Sequence, residues 1–320
     1  MPDNNFRIDT HHHIIPPALV AAMEARGLMQ SMGRALPEWS PALSLALMDA
    51  HDIGTAIVSL SAPGVYFGDR AAAADLARAC NEYAAKMTTD HPGRFGFFAV
   101  LPMPFTDDSC AEACYAFDVL EADGVVLLGN TEGWFLGDPR FDELMAELNS
   151  RDAVVFLHPN LHPSTKMLGL TRMPGWLIEA PCDTTRATMN LILSGTLEKY
   201  PRIRWILSHA GGTVPYLAWR LALMDLLPEY SAKAPKGVMS YLRNSFYFDT
   251  ALSPTSYALT PTREAAGLER IVFGSDYPFT PPEAVTMEVE ALDEYTSRDA
   301  AAMAAIARGN ALKLFPRLSA

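Results

Sequence analysis

Short apolar, β-branched runs recur along the chain, and each interval between them is long enough for a helix. Several runs, such as 153–157 and 203–207, are almost continuously apolar and lack the alternation of a half-exposed strand. Parallel strands buried on both faces have this pattern, because helices cover each face of the sheet. The pattern predicts eight strands, at residues 6–9, 55–60, 95–101, 124–128, 153–157, 203–208, 245–249 and 270–273.

The segments between these runs are rich in alanine and leucine and predict helices. The clearest are 69–88, 139–150, 184–199, 214–227 and 299–313. Eight strand–helix units in this order predict an α/β fold, a closed (β/α)8 or TIM barrel that spans residues 1–320 as one domain. A doubly wound open sheet is the structural alternative, but no predicted strand leads into the Gly-x-Gly-x-x-Gly loop of its dinucleotide-binding members.

Two predicted loops are longer than a strand-to-helix connection requires. Residues 14–44 follow strand 1 and residues 162–183 follow strand 5, so both insertions lie at the carboxyl-terminal end of the predicted barrel. The second insertion is rich in methionine, proline, glycine and tryptophan. Its composition is compatible with a lid or substrate wall over the barrel mouth, and equally with a packing excursion or a subunit contact.

Composition and charge narrow the classes of function. Hydrophobic residues make up 49% of the 320 positions and charged residues 19%, which supplies a core and gives no sign of disorder. The formal net charge of −12 argues against nucleic acid or an anionic membrane as a partner. The first residues do not form a signal peptide, and no apolar run reaches the roughly 18 residues of a membrane span.

The cysteines indicate the compartment. The chain has four, and only Cys110 and Cys114 are close together, one helical turn apart. That spacing is more typical of buried thiols than of a disulfide or a metal-binding pair. We therefore expect a reduced, cytoplasmic protein.

The first predicted strand ends in three consecutive histidines. Side chains two positions apart on an extended backbone point to the same side, so His11 and His13 can reach a common point while His12 faces away. Two converging imidazoles suit a transition metal, most readily zinc. Clustered histidines also occur as solvated loop residues. An expression tag is a poor explanation, since an apolar strand and two prolines flank only three histidines.

Three further predicted strands are followed by ionisable residues: His158 after strand 5, His209 after strand 6 and Asp276 after strand 8. In a barrel the carboxyl-terminal ends of all strands point to one mouth, where active sites lie. Each of these residues alone has an ordinary structural explanation, but together with His11 and His13 they predict a metal site at the mouth. We interpret Asp249 and His51 as structural.

These polar motifs occur in an order that resembles the amidohydrolase superfamily. They read Asp-Thr-His-x-His-x-x-Pro from Asp9, His-Pro from His158, Ser-His-x-Gly-Gly from Ser208 and Gly-Ser-Asp-Tyr-Pro from Gly274. Within the superfamily the chain is similar to aminocarboxymuconate-semialdehyde decarboxylase and its relatives, whose usual terminus resembles residues 306–315. The resemblance spans essentially the whole chain.

The resemblance implies a role for each residue of the site. One divalent metal ion, zinc or alternatively manganese, would be held by four ligands, His11, His13, His158 and Asp276. His209 matches the active-site histidine of the branch. Arg220 matches an arginine that reaches the substrate carboxylate of a neighbouring subunit, so the resemblance also implies a homodimer or a higher homo-oligomer. The alternative for Arg220 is a surface salt bridge, the usual role of an arginine on an amphipathic helix. We further assign Trp176 and Tyr277, two aromatic residues of the predicted mouth loops, to substrate binding; the alternative is packing, which is as common a role for aromatic residues in such loops.

Two departures from the superfamily refine this expectation. Its binuclear members bridge two metals with a carboxylated lysine at the end of strand 4, where this chain reads Leu-Leu-Gly-Asn at 127–130, so one metal ion is expected. The muconate-semialdehyde enzymes should carry a carboxylate-binding arginine just after the segment 38–41, and residues 42–45 contain none. Segments 135–141 and 248–253 resemble the 6-methylsalicylate decarboxylases more closely.

We therefore expect a non-oxidative decarboxylase, a carbon–carbon lyase that uses a metal but no organic cofactor and acts on a small aromatic or unsaturated carboxylic acid. The metal would orient the acid, and Asp276 or His209 would protonate the carbon that bears the carboxylate. The alternative is a hydrolase or hydratase that uses the same centre to attack a lactone or amide with water. A catalytically silent metal-binding barrel would not require both His209 and Asp276.

Overall fold

The computed structural model describes residues 6–168 and 173–319, and its centre is a sheet of eight parallel strands. Neighbours in the sheet are also neighbours in the chain. The strands are β1 (Arg7–His13), β2 (Ile53–Ser59), β3 (Phe95–Val100), β4 (Gly124–Leu128), β5 (Val154–His158), β6 (Arg204–Leu207), β7 (Phe246–Asp249) and β8 (Ile271–Val272).

The segment after β8 closes this sheet against β1. The backbone N–H of Thr10 donates to the carbonyl of Phe273 at 2.9 Å, and that of His13 donates to the carbonyl of Tyr277 at 2.6 Å. A parallel bridge joins His12 to Tyr277. The predicted (β/α)8 barrel is therefore confirmed, and the carboxyl-terminal ends of all its strands surround one mouth.

Helices follow the strands along the chain and cover the outside of the barrel. Their bounds are α1 (Pro17–Glu24), α2 (Pro41–Ala50), α3 (Arg70–Asp90), α4 (Thr106–Asp118), α5 (Asp142–Ser150), α6 (Glu179–Leu193), α7 (Thr196–Lys199), α8 (Val214–Ala222), α9 (Pro228–Ser231), α10 (Val238–Asn244), α11 (Ser256–Ala266), α12 (Pro282–Thr296), α13 (Ala300–Ala304) and α14 (Asn310–Leu314). Within residues 6–168 and 173–319, none of the helices combines the length and the apolar character that crossing a bilayer demands.

Some of the predicted bounds need correction. Strand β1 runs on to His13 instead of ending at residue 9, so the histidines belong to the strand itself. The predicted helix 184–199 is two helices, because Gly195 adopts a left-handed backbone (φ 84°) that ends α6. The predicted helix 214–227 ends at Ala222 and continues as a 3-10 turn, Leu223–Leu226.

Aromatic side chains form the floor beneath the barrel mouth. The ring of Phe156 stacks on Phe98 at a centroid distance of 5.5 Å and meets the ring of His11 edge-on at 4.8 Å. Phe156 and His11 are fully buried. Because a close-packed floor leaves a side chain few alternative rotamers, this packing fixes the direction of the His11 ring.

The two predicted insertions contribute to the mouth. Residues 14–44 contain α1 and a short hairpin whose strands are Gln30–Ser31 and Arg34–Ala35. Residues 162–183 contain a 3-10 helix, Pro163–Leu168, and the start of α6, while 169–172 lie outside the described residues. Both insertions supply residues to a pocket above the barrel.

Candidate metal centre

Strand β1 directs alternate histidines to opposite sides, as the extended backbone predicts. The Nε2 atoms of His11 and His13 lie 3.0 Å apart inside the mouth. His12 points away, with Nδ1 at 3.0 Å from the Asp9 carboxylate and Nε2 at 2.9 Å from the Ser44 hydroxyl on α2. The predicted alternation is therefore confirmed, and His12 has a structural role.

Three imidazoles and one carboxylate converge at the mouth. The potential ligand atoms of His11, His13, His158 and Asp276 all lie within 4.8 Å of one another, and all four residues are buried. Asp276 Oδ1 is 3.2 Å from His11 Nε2 and 3.0 Å from His13 Nε2. Nitrogen and oxygen donors gathered at this spacing are suited to one small divalent cation.

The far nitrogen of each of these imidazole rings faces an oxygen acceptor. The acceptors of the three Nδ1 atoms are the Asp249 carboxylate for His11 (2.6 Å), the Ser59 carbonyl for His13 (3.3 Å) and the Pro159 carbonyl for His158 (3.0 Å). A carbonyl accepts and never donates, so the ring protons of His13 and His158 lie on Nδ1 and their Nε2 lone pairs are left for a cation. The Asp249 carboxylate would keep the His11 proton on Nδ1 in the same way when a cation replaces the proton on Nε2. The orientation of the rings thus fits metal binding.

Burial and neighbouring charges shift the pKa values of the four residues in different directions. Burial opposes the charge of His11, but Asp249 and Asp276 outweigh it and raise the pKa of His11 to about 10. Burial lowers the pKa of His13 and lowers that of His158 well below its usual range. Burial also opposes ionisation of Asp276, yet His11 holds its pKa well below the usual value. In the metal-free protein the His11 proton therefore supplies the positive charge that this centre favours.

His209 lies beside this cluster on a tight turn after β6. His209 and Ala210 both adopt the left-handed backbone region (φ 54° and 52°), which is unfavourable for residues with a Cβ. The backbone N–H of His209 donates to Asp249 at 2.7 Å and so helps to hold the turn. The imidazole Nε2 is 3.5 Å from Asp276 Oδ2, and neither ring nitrogen has a hydrogen-bond partner among the described residues. A buried imidazole without a partner is available for proton transfer.

A cavity adjoins the cluster. His158, His209 and Asp276 form its floor, and its other lining residues include Ser31, Arg34, Trp176, Leu252 and Phe279. Aromatic and apolar walls with a few convergent polar groups are typical of a site for a small molecule.

The three residues that the sequence analysis assigned to substrate binding lie in three different places. Trp176 lines the cavity. Tyr277 does not: its ring lies 5.2 Å from that of His12 within the core, because its backbone pairs with β1 and turns the side chain to the outer layer. Arg220 is exposed on α8 and is not among the cavity-lining residues, so its action on a neighbouring subunit stays a prediction.

Two buried carboxyl groups near the cluster, Asp249 and Glu288, received no site role in the sequence analysis. Asp249, which the sequence analysis interprets as structural, accepts hydrogen bonds from the His11 ring and the His209 backbone. Its position at the end of β7, equivalent to the other strand-end residues, was a usable signal. Glu288 on α12 is buried, and one of its oxygens accepts from the Leu252 backbone at 3.1 Å. Burial and then Asp276 raise the pKa of Glu288 to about 9.

The chain belongs to the amidohydrolase family: residues 8–317 match the family described as Amidohydrolase. It is 40% identical to Decarboxylase yanB of Aspergillus niger, over 97% of this chain and 88% of that protein. It is 39% identical to 6-methylsalicylic acid decarboxylase of Penicillium expansum, over 98% of this chain and 97% of that protein. The crystal structure of a dihydroxybenzoic acid decarboxylase from Polaromonas sp. JS666, with bound manganese and the inhibitor 2-nitroresorcinol, matches with a TM-score of 0.82 and 26% identity, over 98% of this chain and 97% of that chain.

Proposed function

We propose that this protein is a metal-dependent, non-oxidative decarboxylase of a small aromatic carboxylic acid. The observation that carries the proposal is the convergence of His11, His13, His158 and Asp276 beneath a cavity that also contains the unpaired imidazole of His209. The relatives support it, since a 6-methylsalicylic acid decarboxylase is 39% identical over nearly the whole chain. Substituted salicylates are therefore the first candidate substrates.

We assign the metal site to the same four residues, His11, His13, His158 and Asp276. Zinc is the expected ion from the three imidazoles, and manganese is the alternative that the related dihydroxybenzoic acid decarboxylase supports. When bound, a divalent ion supplies positive charge that attracts and polarises the anionic oxygens of the acid. No organic cofactor is part of the proposal.

His209 is the proposed proton donor to the ring carbon that bears the carboxylate. The new C–H bond forms with the proton of the imidazole, and the bond to the carboxylate carbon then breaks. The electron pair of that bond returns to the ring, restores aromaticity and releases carbon dioxide. Asp276, whose Oδ2 is 3.5 Å from His209 Nε2, is the second candidate donor. Asp249 fixes the donor by holding the His209 backbone.

A paired substrate screen tests this function. The zinc- or manganese-loaded protein is expected to release one carbon dioxide for each phenol formed from a substituted salicylate, and the chelated protein is expected to be inactive. His209→Ala should lower the rate by about 10²- to 10⁴-fold, the range for a general acid. Ring-opening of lactones or cleavage of amides without carbon dioxide release would favour the hydrolase alternative.

We also propose that the protein forms a homodimer through α8 and the turn that follows it. Three large apolar side chains are strongly exposed there, Tyr216 (83%), Trp219 (82%) and Leu226 (76%). Large apolar side chains left exposed along one short segment are typical of a protein interface. Arg220 lies between them in the sequence, which is compatible with its predicted reach into the site of the partner.

We place the protein in the cytoplasm. All four cysteines are free in the described structure, as in a reducing compartment. The net charge of −12 supports a small-molecule substrate without a nucleic acid or membrane partner.

A further inference from the structure

Among the residues that the structure describes, 6–168 and 173–319, Arg34 is the only arginine or lysine that lines the cavity above the metal centre. The chain has a net charge of −12, and the floor of the cavity includes the ionised carboxylate of Asp276. A carboxylic acid is an anion at neutral pH. It must therefore approach against the net negative charge of the protein and come close to the carboxylate of Asp276. A cation in the wall of the cavity offsets that repulsion at short range.

Three segments of the mouth hold Arg34 in position. It follows the turn of the hairpin, where Met32 (φ 48°) and Gly33 (φ 83°) have the left-handed backbone of a tight two-residue connection. Its Nη1 donates to the Phe279 carbonyl at 3.0 Å, and its guanidinium carbon lies 5.4 Å from the ring centroid of Trp176. The loops after β1, β5 and β8 thus meet at one side chain.

Most of the hydrogen-bonding capacity of Arg34 remains open. A guanidinium group carries five N–H donors in a planar fork that matches a carboxylate. The contact to Phe279 uses one of its nitrogens, and no other hydrogen bond of this side chain is present among the described residues. Stacking on Trp176 restricts the rotation of the guanidinium, so less entropy is lost when an anion binds.

We propose that Arg34 binds the carboxylate group of the acid and so distinguishes the substrate from its neutral phenol product. The inference rests on the proposed decarboxylation for the identity of that acid. It assigns recognition of the anion to an arginine of the same chain, independently of the neighbouring subunit on which the predicted role of Arg220 depends. Loss of carbon dioxide removes the anion that Arg34 contacts, and product release follows from the lost ion pair.

Arg26→Gln is a matched control for Arg34→Gln. Arg26 belongs to the same insertion, its guanidinium carbon lies 5.3 Å from the ring centroid of Phe67, and its Nη1 donates to the Ala22 carbonyl at 2.8 Å. It is not among the cavity-lining residues. The two variants therefore remove the same charge and a similar aromatic contact, one inside the cavity and one outside it.

The measurement is equilibrium binding of salicylate and of phenol to the zinc-loaded protein by titration calorimetry. Arg34→Gln is expected to weaken salicylate binding about 10- to 100-fold, the range for a lost charge-assisted hydrogen bond, and to change phenol binding less than about twofold. Arg34→Lys should recover part of the salicylate affinity, since it keeps the charge but not the planar fork. Arg26→Gln should leave both affinities unchanged.

The possible results separate this inference from the proposed function. Salicylate binding in Arg34→Gln within about threefold of the wild type, or an equal loss for salicylate and phenol, overturns the role of Arg34. Arg34-dependent binding without carbon dioxide release by the wild type overturns the decarboxylase and leaves the anion site standing. A wild-type protein that binds no hydroxybenzoate overturns both.

Discussion

Asp249→Asn tests whether the carboxylate behind His11 supports metal binding. Asp249 is fully buried, and its two oxygens have different partners: the His11 ring at 2.6 Å and the His209 backbone N–H at 2.7 Å. An asparagine offers one oxygen and one NH2 group, so one of these two donors would face another donor. The substitution also removes the negative charge that, together with Asp276, raises the pKa of His11.

The expected magnitude follows from these contacts. Loss of the acceptor behind a metal-binding histidine typically lowers metal affinity about 10- to 100-fold. This range corresponds to about 1.4 to 2.8 kcal/mol of binding free energy. We expect Asp249→Asn to lie within it, because the contact at 2.6 Å is both charged and completely shielded from water.

Competitive titration of zinc against a chromophoric chelator measures the loss. Asp183→Asn is the control, since Asp183 is a buried carboxylate that accepts from the Asn160 backbone and the Asn130 side chain but contacts none of the four candidate ligands. Its zinc affinity should match that of the wild type. An Asp249→Asn protein that folds normally and binds zinc within about threefold of the wild type would refute the reasoning.

Three further predictions concern protonation, turnover and assembly. Burial and then Asp276 raise the pKa of Glu288 to about 9, so the metal-free fold retains a proton that the unfolded chain releases. The free energy of unfolding should therefore fall as pH rises towards 9, by up to about 1.4 kcal/mol per pH unit, and a denaturation series on Glu288→Gln should lack this slope. Asp276→Asn should retain part of its metal, measured by elemental analysis, yet lose carbon dioxide release; full activity would reject its role. Trp219→Lys should shift the protein from dimer to monomer in sedimentation velocity, and an unchanged sedimentation coefficient would contradict the proposed interface.

Much of the fold and of the metal centre follows from local rules that act on the sequence. Continuous apolar runs with helices between them predict parallel strands buried on both faces, and eight such units predict a barrel. Within β1, the two-residue period of an extended chain is enough to place His11 and His13 together and to turn His12 away. The barrel then brings His158 and Asp276 to the same mouth, because parallel strands all end on one side.

The tertiary structure alone decided which residues complete the site. Asp249 reaches His11 across 238 positions of the chain, and no local pattern identifies that pairing. Tyr277 lies in the core instead of the cavity, because closure of the barrel onto β1 sets the direction of its side chain. Arg34 and Glu288 belong to a hairpin and a helix whose packing is determined by distant loops and strands.

The sequence by itself determined the fold and the convergence of the metal-binding side chains, since periodicity and strand direction are properties of short segments. Burial and charge environment depend on contacts between remote segments, and these exist only once the barrel has closed.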